Sequence, residues 1–292
     1  MFLDTELIIN PDGSIYHLCL KPHQVADTVI TVGDPDRVAE VSKHFDKIEH
    51  IVTHREFVTH TGYLKNKRLS VISTGIGTDN IDIVLNELDA LVNIDFRTRT
   101  IKEKLTSLQI IRIGTSGALQ QDITVDTLII SEFALAIDGL MCFYDFESSE
   151  KENKILSDLQ DYSRYCDLNF PLPIQIFEGS ESLISTINSD KKFTSGITAT
   201  CTGFYAPQGR TLRAMSQNID YLSKLSQFRT SENLRITNLE METSGIYGLS
   251  KVLGHQAVSC NAILANRMTG EFSANPQATV ESLITLVLNS LP

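Results

Sequence analysis

LQIIRIGTSGALQ, residues 108–120, sets an apolar, β-branched run against a turn of glycines and hydroxyls. A continuous run of this kind reads as a strand buried on both faces, the pattern of a parallel sheet. Arg112 interrupts it. A buried guanidinium needs an anionic or hydrogen-bonding partner. One reading pairs Arg112 with a structural carboxylate, the other with an anionic ligand. The ligand reading is favoured because Thr115, Ser116 and Gly117 follow at the strand's carboxyl end, where open α/β sheets bind ligands.

Working outward, strand patterns cover residues 27–33, 68–74, 126–131, 196–200, 234–242 and 257–264, and residues 46–63 read as a hairpin. Helical patterns follow Gly33, with Asp34 or Asp36 as the cap, and cover 81–92, 151–166 and 242–253. A last helix occupies 274–291, with Asn275 as cap and Pro276 in its first turn. The alternation predicts an α/β fold, a single-domain three-layer α/β/α arrangement around a central mixed, mainly parallel twisted sheet. One domain is expected over residues 1–292, with 1–14 as an N-terminal extension and 93–107 and 145–155 as surface excursions.

Composition narrows the function. The 292 residues carry 25 basic and 36 acidic side chains, a net charge of −11. That balance argues against sequence-independent nucleic-acid binding, which needs a basic surface. A small anionic substrate remains compatible, since a few local arginines outweigh the global field. Five cysteines without a C-x-x-C pair suggest neither a disulfide framework nor a zinc site. The opening MFLDTELIINPDGS lacks a basic leader region, and no apolar run reaches the ~18 residues of a membrane span. A cytoplasmic protein without membrane contact is expected.

Four further motifs carry chemistry. GDPDR, residues 33–37, joins a strand end to a helix start and offers free N–H groups, with Arg37 as a charged fork. A capped turn with a solvated arginine explains it equally well. STGIG, residues 73–77, matches a dinucleotide loop only weakly, because the third glycine is missing. NLEMETSG, residues 238–245, places Glu240 and Glu242 at a strand exit, expected on opposite sides. A carboxylate there accepts from two sugar hydroxyls, or simply starts a helix. FYAPQGR, residues 204–210, follows an aromatic ring with an amide and a guanidinium, the edge and face a flat heterocycle needs. In isolation the reading as a loop with an anchoring aromatic and exposed polar residues prevails.

Taken together and in order, the chain resembles the nucleoside phosphorylase family, in its uridine phosphorylase-type form. The resemblance runs from about Ile15 onward and rests on YHLCL (16–20), TVGDPDR (31–37), HREF (54–57), STGIG, IRIGTSGALQ, FYAPQGR, LEMET (239–243) and ANR (265–267). It implies a pentosyltransferase that cleaves uridine, or deoxyuridine and thymidine, reversibly with inorganic phosphate. It also implies phosphate held by Gly33, Arg37, Arg112 and Thr115, joined by Arg55 from a neighbouring subunit. Ribose would meet Met241, Glu242 and the neighbour's His17. The base would meet Ser116, Gly117, Phe204, Gln208, Arg210 and Arg267. Nucleoside and phosphate are the implied partners, on a homodimer as minimal unit or on the larger hexamer.

The departures matter. The base loop reads FYAPQGR where the bacterial form has FYPGQER. Purine-specific relatives carry a Ser-Asp pair where this chain has Asn266-Arg267, so the resemblance favours uridine over purine nucleosides. No cofactor or metal is expected. The family's monovalent-cation place would fall on Glu56, Ile76 and Asn80, but Asn80 replaces its serine. Rival readings are a nucleosidase using water, a purine phosphorylase and a non-catalytic nucleoside binder. The arginines Arg37, Arg55 and Arg112 weigh against water, and Asn266-Arg267 against purines. The joint presence of Arg37, Arg112, Gln208, Arg210 and Glu242 weighs against a storage role.

Overall fold

The computed structural model describes residues 1–217 and 220–291. Its strands are β1 (Thr28–Val32), β2 (Lys47–His54), β3 (Phe57–Leu64), β4 (Lys67–Ser73), β5 (Ile94–Asp95), β6 (Thr100–Ile101), β7 (Gln109–Ala118), β8 (Leu128–Ile137), β9 (Gln175–Glu178), β10 (Thr194–Cys201), β11 (Ile236–Glu240) and β12 (Gln256–Asn266). The helices are α1 (Pro35–Ser42), α2 (Thr78–Asn93), α3 (Glu150–Cys166), α4 (Glu181–Ile187), α5 (Tyr221–Gln227), α6 (Thr243–Leu253) and α7 (Pro276–Ser290). Every expected strand and helix is present. The sequence pattern missed β5, β6, β9, α4 and α5, which are too short to show a period.

One mixed sheet runs β11-β10-β8-β12-β7-β1-β4-β3-β2, with β9 beside β8. At its centre β4, β1, β7 and β12 are parallel. Side chains alternate between two cores, as a doubly covered strand requires. Val29 joins Leu85, Leu88 and Ile246 under α2 and α6, while Ile30 joins Val38, Leu283 and Val287 under α1 and α7. A third cluster packs α3 and α5 against the outer faces of β8, β10 and β11.

The sheet also closes on itself. β11 pairs antiparallel with β7 through Asn238↔Ala118 and Leu239↔Gly117. That pairing makes a ring of β7, β12, β8, β10 and β11. It also brings Glu240, Met241 and Glu242 alongside the glycine-rich exit of β7. Asn238, fully buried, is held by Thr198 and Thr237 hydroxyls on its Oδ1, each at 2.8 Å, and donates to Ser116 at 2.9 Å.

The expected excursions fare differently. Residues 93–107 form the small β5–β6 hairpin, mostly at the surface. Arg99 at its tip donates to the carbonyls of Phe2 (3.0 Å), Leu3 (2.9 Å) and Leu7. The segment 1–14 is thereby clamped to the body, with Leu7 buried. The reading of 145–155 as an excursion needs correction from Ser149 on. Ser149 and Glu152 form a reciprocal cap for α3, and Ile155 is buried in the third core. Buried Glu152 also receives Lys251 at 2.5 Å.

Candidate active site

The carboxyl ends of β1, β4, β7, β11 and β12 open into one cleft of about 680 Å³. Its phosphate end begins at Gly33, where β1 stops and α1 starts. Asp34 accepts from the Asp36 N–H at 3.0 Å, which settles the cap on Asp34 rather than Asp36. Arg37, in the first turn, lines the cleft. Its Nε is buried and has no partner among the described residues. Burial and the nearby Arg112 charge both push the Arg37 guanidinium below its ordinary pKa, with Asp34 pulling the other way. An anion between the two arginines would offset both penalties.

Arg112 is buried in β7 and faces this end. Its Nη1 donates to Asn261 Oδ1 at 2.7 Å, and its Nη2 to Glu242 Oε2 at 2.6 Å. Glu240 Oε2 lies 3.2 Å from the same Nη2. Burial works against the Arg112 charge, but Glu240 and Glu242 outweigh it and hold the pKa above the usual value. Arg112 thus has the structural carboxylates of one reading and the cleft position of the other. The expectation that Glu240 and Glu242 face opposite sides is corrected here. Glu242 lies past the end of β11, at the cap position of α6, and from there its carboxylate shares Arg112 Nη2 with that of Glu240.

Glu240 ties this end to α6. It accepts from Thr200 Oγ1 at 2.6 Å and from the N–H groups of Glu242 and Thr243, both at 2.9 Å on Oε2. A carboxylate on exposed N–H groups of a helix start is favourable. Burial nonetheless pushes its pKa up, against the pull of Arg112 and with the help of Glu242. Glu242 Oε1 accepts from the Gly77 N–H at 2.8 Å. STGIG therefore supplies a backbone donor to a site carboxylate. Met241 and Thr115 line the cleft beside them.

At the far end Ser116, Gly117, Phe204, Gln208 and Arg210 line the wall. Gln208 is buried, and Arg210 Nη1 donates to its Oε1 at 2.7 Å. The Arg210 guanidinium lies 3.7 Å from the Phe204 ring centre. Burial, then the Arg267 charge, lowers Arg210 to about 10. Arg267 sits one layer behind, donating to the Gln208 carbonyl at 2.9 Å. The departure in this loop has a geometric cause. Gly209 takes φ of +66°, and a Cβ there would meet Leu222 at 2.6 Å. Asn266 does not address the base. It donates to the carbonyls of Gln120 and Ile123 and accepts from the Met268 and Thr269 N–H groups.

Like Arg267, two other implied residues do not line the chain's own cleft. His17 Nδ1 lies 2.6 Å from Glu87 Oε1, and Arg55 stacks 5.5 Å from the Tyr16 ring centre. They neighbour each other, since His54 Nδ1 bonds the His17 carbonyl at 3.0 Å. Glu56, Ile76 and Asn80 all line the cleft, with Glu56 and Asn80 packed around Gly75. The sequence reading missed Asn261 and Phe272. Asn261 carried a signal, a polar residue in an apolar strand like Arg112. Phe272, 67% exposed at the cleft rim, carried none.

A family model described as the phosphorylase superfamily matches residues 27–291. The chain belongs to that superfamily. Among the relatives of this superfamily member, a uridine phosphorylase of Thermococcus kodakarensis is 32% identical over 93% of this chain and 84% of its own length. A DeoD-type purine nucleoside phosphorylase of Colwellia psychrerythraea is 25% identical over 94% of this chain and 98% of its own. In structure, the phosphorylase matches a Trypanosoma brucei nucleoside phosphorylase described as showing uridine phosphorylase activity. The TM-score is 0.87 at 29% identity, covering 98% of this chain and 99% of the other.

Proposed function

We propose that this phosphorylase is a uridine phosphorylase, cleaving uridine with inorganic phosphate to uracil and ribose 1-phosphate. One observation carries the reading. A single cleft joins an arginine pair at one end to an amide, guanidinium and aromatic ring at the other, with Glu242 between.

The chemistry follows from where charge develops. As the N-glycosidic bond breaks, the sugar gains oxocarbenium character, as in glycoside hydrolysis. Arg37, Arg112, the Gly33 backbone and Thr115 hold phosphate for attack at C1′, so their contribution is positioning. Glu242 accepts from the ribose 2′- and 3′-hydroxyls beside Met241. Negative charge spreads over the uracil carbonyls, where Gln208 and Arg210 donate while Phe204 lies against the ring, with Ser116 and Gly117 alongside. Arg267 supports that end through the Gln208 carbonyl. No side-chain nucleophile enters. Cys201 is consistent with that, since burial pushes its thiol up to about 12.

Base preference rests on the acids. The carboxylates lining the cleft among the described residues are Asp34, Glu56, Glu240 and Glu242, and none belongs to the Phe204–Arg210 end. A purine leaving group wants a proton donor at its five-membered ring, whereas a uracil anion needs only hydrogen-bond donors. We assign a homodimer as the minimal unit, with the partner's His17 completing the ribose site and the partner's Arg55 the phosphate site. No described helix is long and apolar enough to cross a membrane; we assign the enzyme to the cytoplasm. Parallel assays on uridine, thymidine, inosine and adenosine test the preference. Uridine should be cleaved fastest. Faster cleavage of inosine or adenosine would contradict the base-end assignment.

A further inference from the structure

Arg112 is held by more than its carboxylates. On a strand, residues two apart share a face, so the Arg112 side chain runs forward over Gly114. A Cβ at Gly114 would lie 1.7 Å from Arg112 Nη1, 2.3 Å from its Cζ and 2.7 Å from its Nη2. The guanidinium therefore occupies the space that any side chain at 114 would fill. Backbone conformation does not explain the glycine, because Gly114 is not among the positive-φ glycines. The neighbouring strand completes the arrangement. In the β12–β7 register Asn261 stands opposite Gly114, and Ser259 opposite Arg112. Asn261 Oδ1 is where the guanidinium arrives, at 2.7 Å from Nη1. Asn261 is itself oriented, since its Nδ2 donates to Ser259 Oγ at 3.2 Å, and Ser259 bonds Thr243 Oγ1 at 2.8 Å.

We infer that Gly114 and Asn261 are positioning residues for the phosphate site: together they form a seat that fixes the Arg112 guanidinium flat against β7. The inference rests on the reading of Arg112 as a phosphate ligand. Gly114 touches no substrate in this account. It acts by absence, and Asn261 acts by fixing the fork's rotation so that Nη2 meets Glu242 and the remaining edge meets the cleft.

The alternative is that Gly114 matters only for packing of the strand. A double-substitution cycle separates the two. Gly114→Ala in the otherwise unchanged protein should lower kcat/KM for phosphate at least about tenfold, through KM for phosphate rather than for uridine, a coupling of contacting residues. In an Arg112→Ala background the guanidinium is gone, and Gly114→Ala should change activity less than about twofold. Melting temperature gives the same cycle without any assay. Gly114→Ala should lower Tm in the parent and leave it unchanged or raised in the Arg112→Ala background. Equal losses in both backgrounds would overturn the seat, as would an unaffected Gly114→Ala enzyme. Should Arg112→Ala not fold, Asn261→Ala replaces it as the check, and must raise KM for phosphate while sparing KM for uridine. A parent enzyme that releases uracil equally well without phosphate would overturn the phosphorolysis reading instead, while the Tm cycle still decides the seat.

Discussion

Single residues divide the reaction between the two ends of the cleft. Arg210 is aimed where negative charge appears on the departing base, stacked on Phe204 and bonded to Gln208. Arg210→Ala should cut kcat by about 10²–10³, the usual effect of losing a donor to developing charge. Phosphate binding, read by calorimetry, should stay near the parent value; a loss of phosphate affinity would contradict the division. Arg37 makes the opposite prediction. Its buried Nε has no partner among the described residues, so Arg37→Ala should raise KM for phosphate about tenfold or more, the worth of a charge-assisted hydrogen bond. Steady-state kinetics at varied phosphate checks it. Neither residue was legible from its own motif, which reads as a capped turn or an anchored loop; only the resemblance of the whole ordered set singled them out. Glu240 was misjudged for a physical cause: the chain leaves β11 at Glu240 and turns into α6, so Glu242, at the cap, comes round to the same arginine.

Elements decide how those residues meet. The strand and helix alternation was legible because long β-branched runs and a 3.6-residue period survive any tertiary context. The closure of β11 onto β7 was not, since register between distant strands leaves no local mark. It depends on buried polar pairing, with Asn238 joining Thr198, Thr237 and Ser116. At the other end of α6 sits His255, with its side chain buried. Its Nδ1 accepts from the Leu108 N–H at 3.2 Å, and Nε2 lies 3.4 Å from Asp89 Oδ1. Burial lowers the His255 pKa, while Asp89 pulls it up. A histidine with a depressed folded pKa favours folding above its unfolded value of about 6.5, and that contribution fades as pH falls below it. Tm should therefore drop between pH 7 and pH 5, and drop less in a His255→Asn variant. An identical pH profile for the two would contradict the assignment.

For the whole molecule, the family was legible because its motifs are spread across most of the chain in order. The departures from it were less so: the glycine at 209 makes sense only once φ and Leu222 are seen. His17 and Arg55 sit together and away from their own cleft, which is what a partner-completed site requires. Mixing Arg55→Ala and Arg112→Ala proteins, each of low activity on its own, tests this. In a mixed dimer one site keeps its own Arg112 and the partner's Arg55, so activity should return after subunit exchange. No recovery from mixtures shown to exchange would place Arg55 in its own chain's site.

The central claim is that phosphate, not water, takes the ribose. Purified protein incubated with uridine, with and without phosphate, decides it when uracil and ribose 1-phosphate are both followed. Uracil released only with phosphate, matched by ribose 1-phosphate, is the predicted result. Equal uracil release in its absence, with free ribose, would contradict the account.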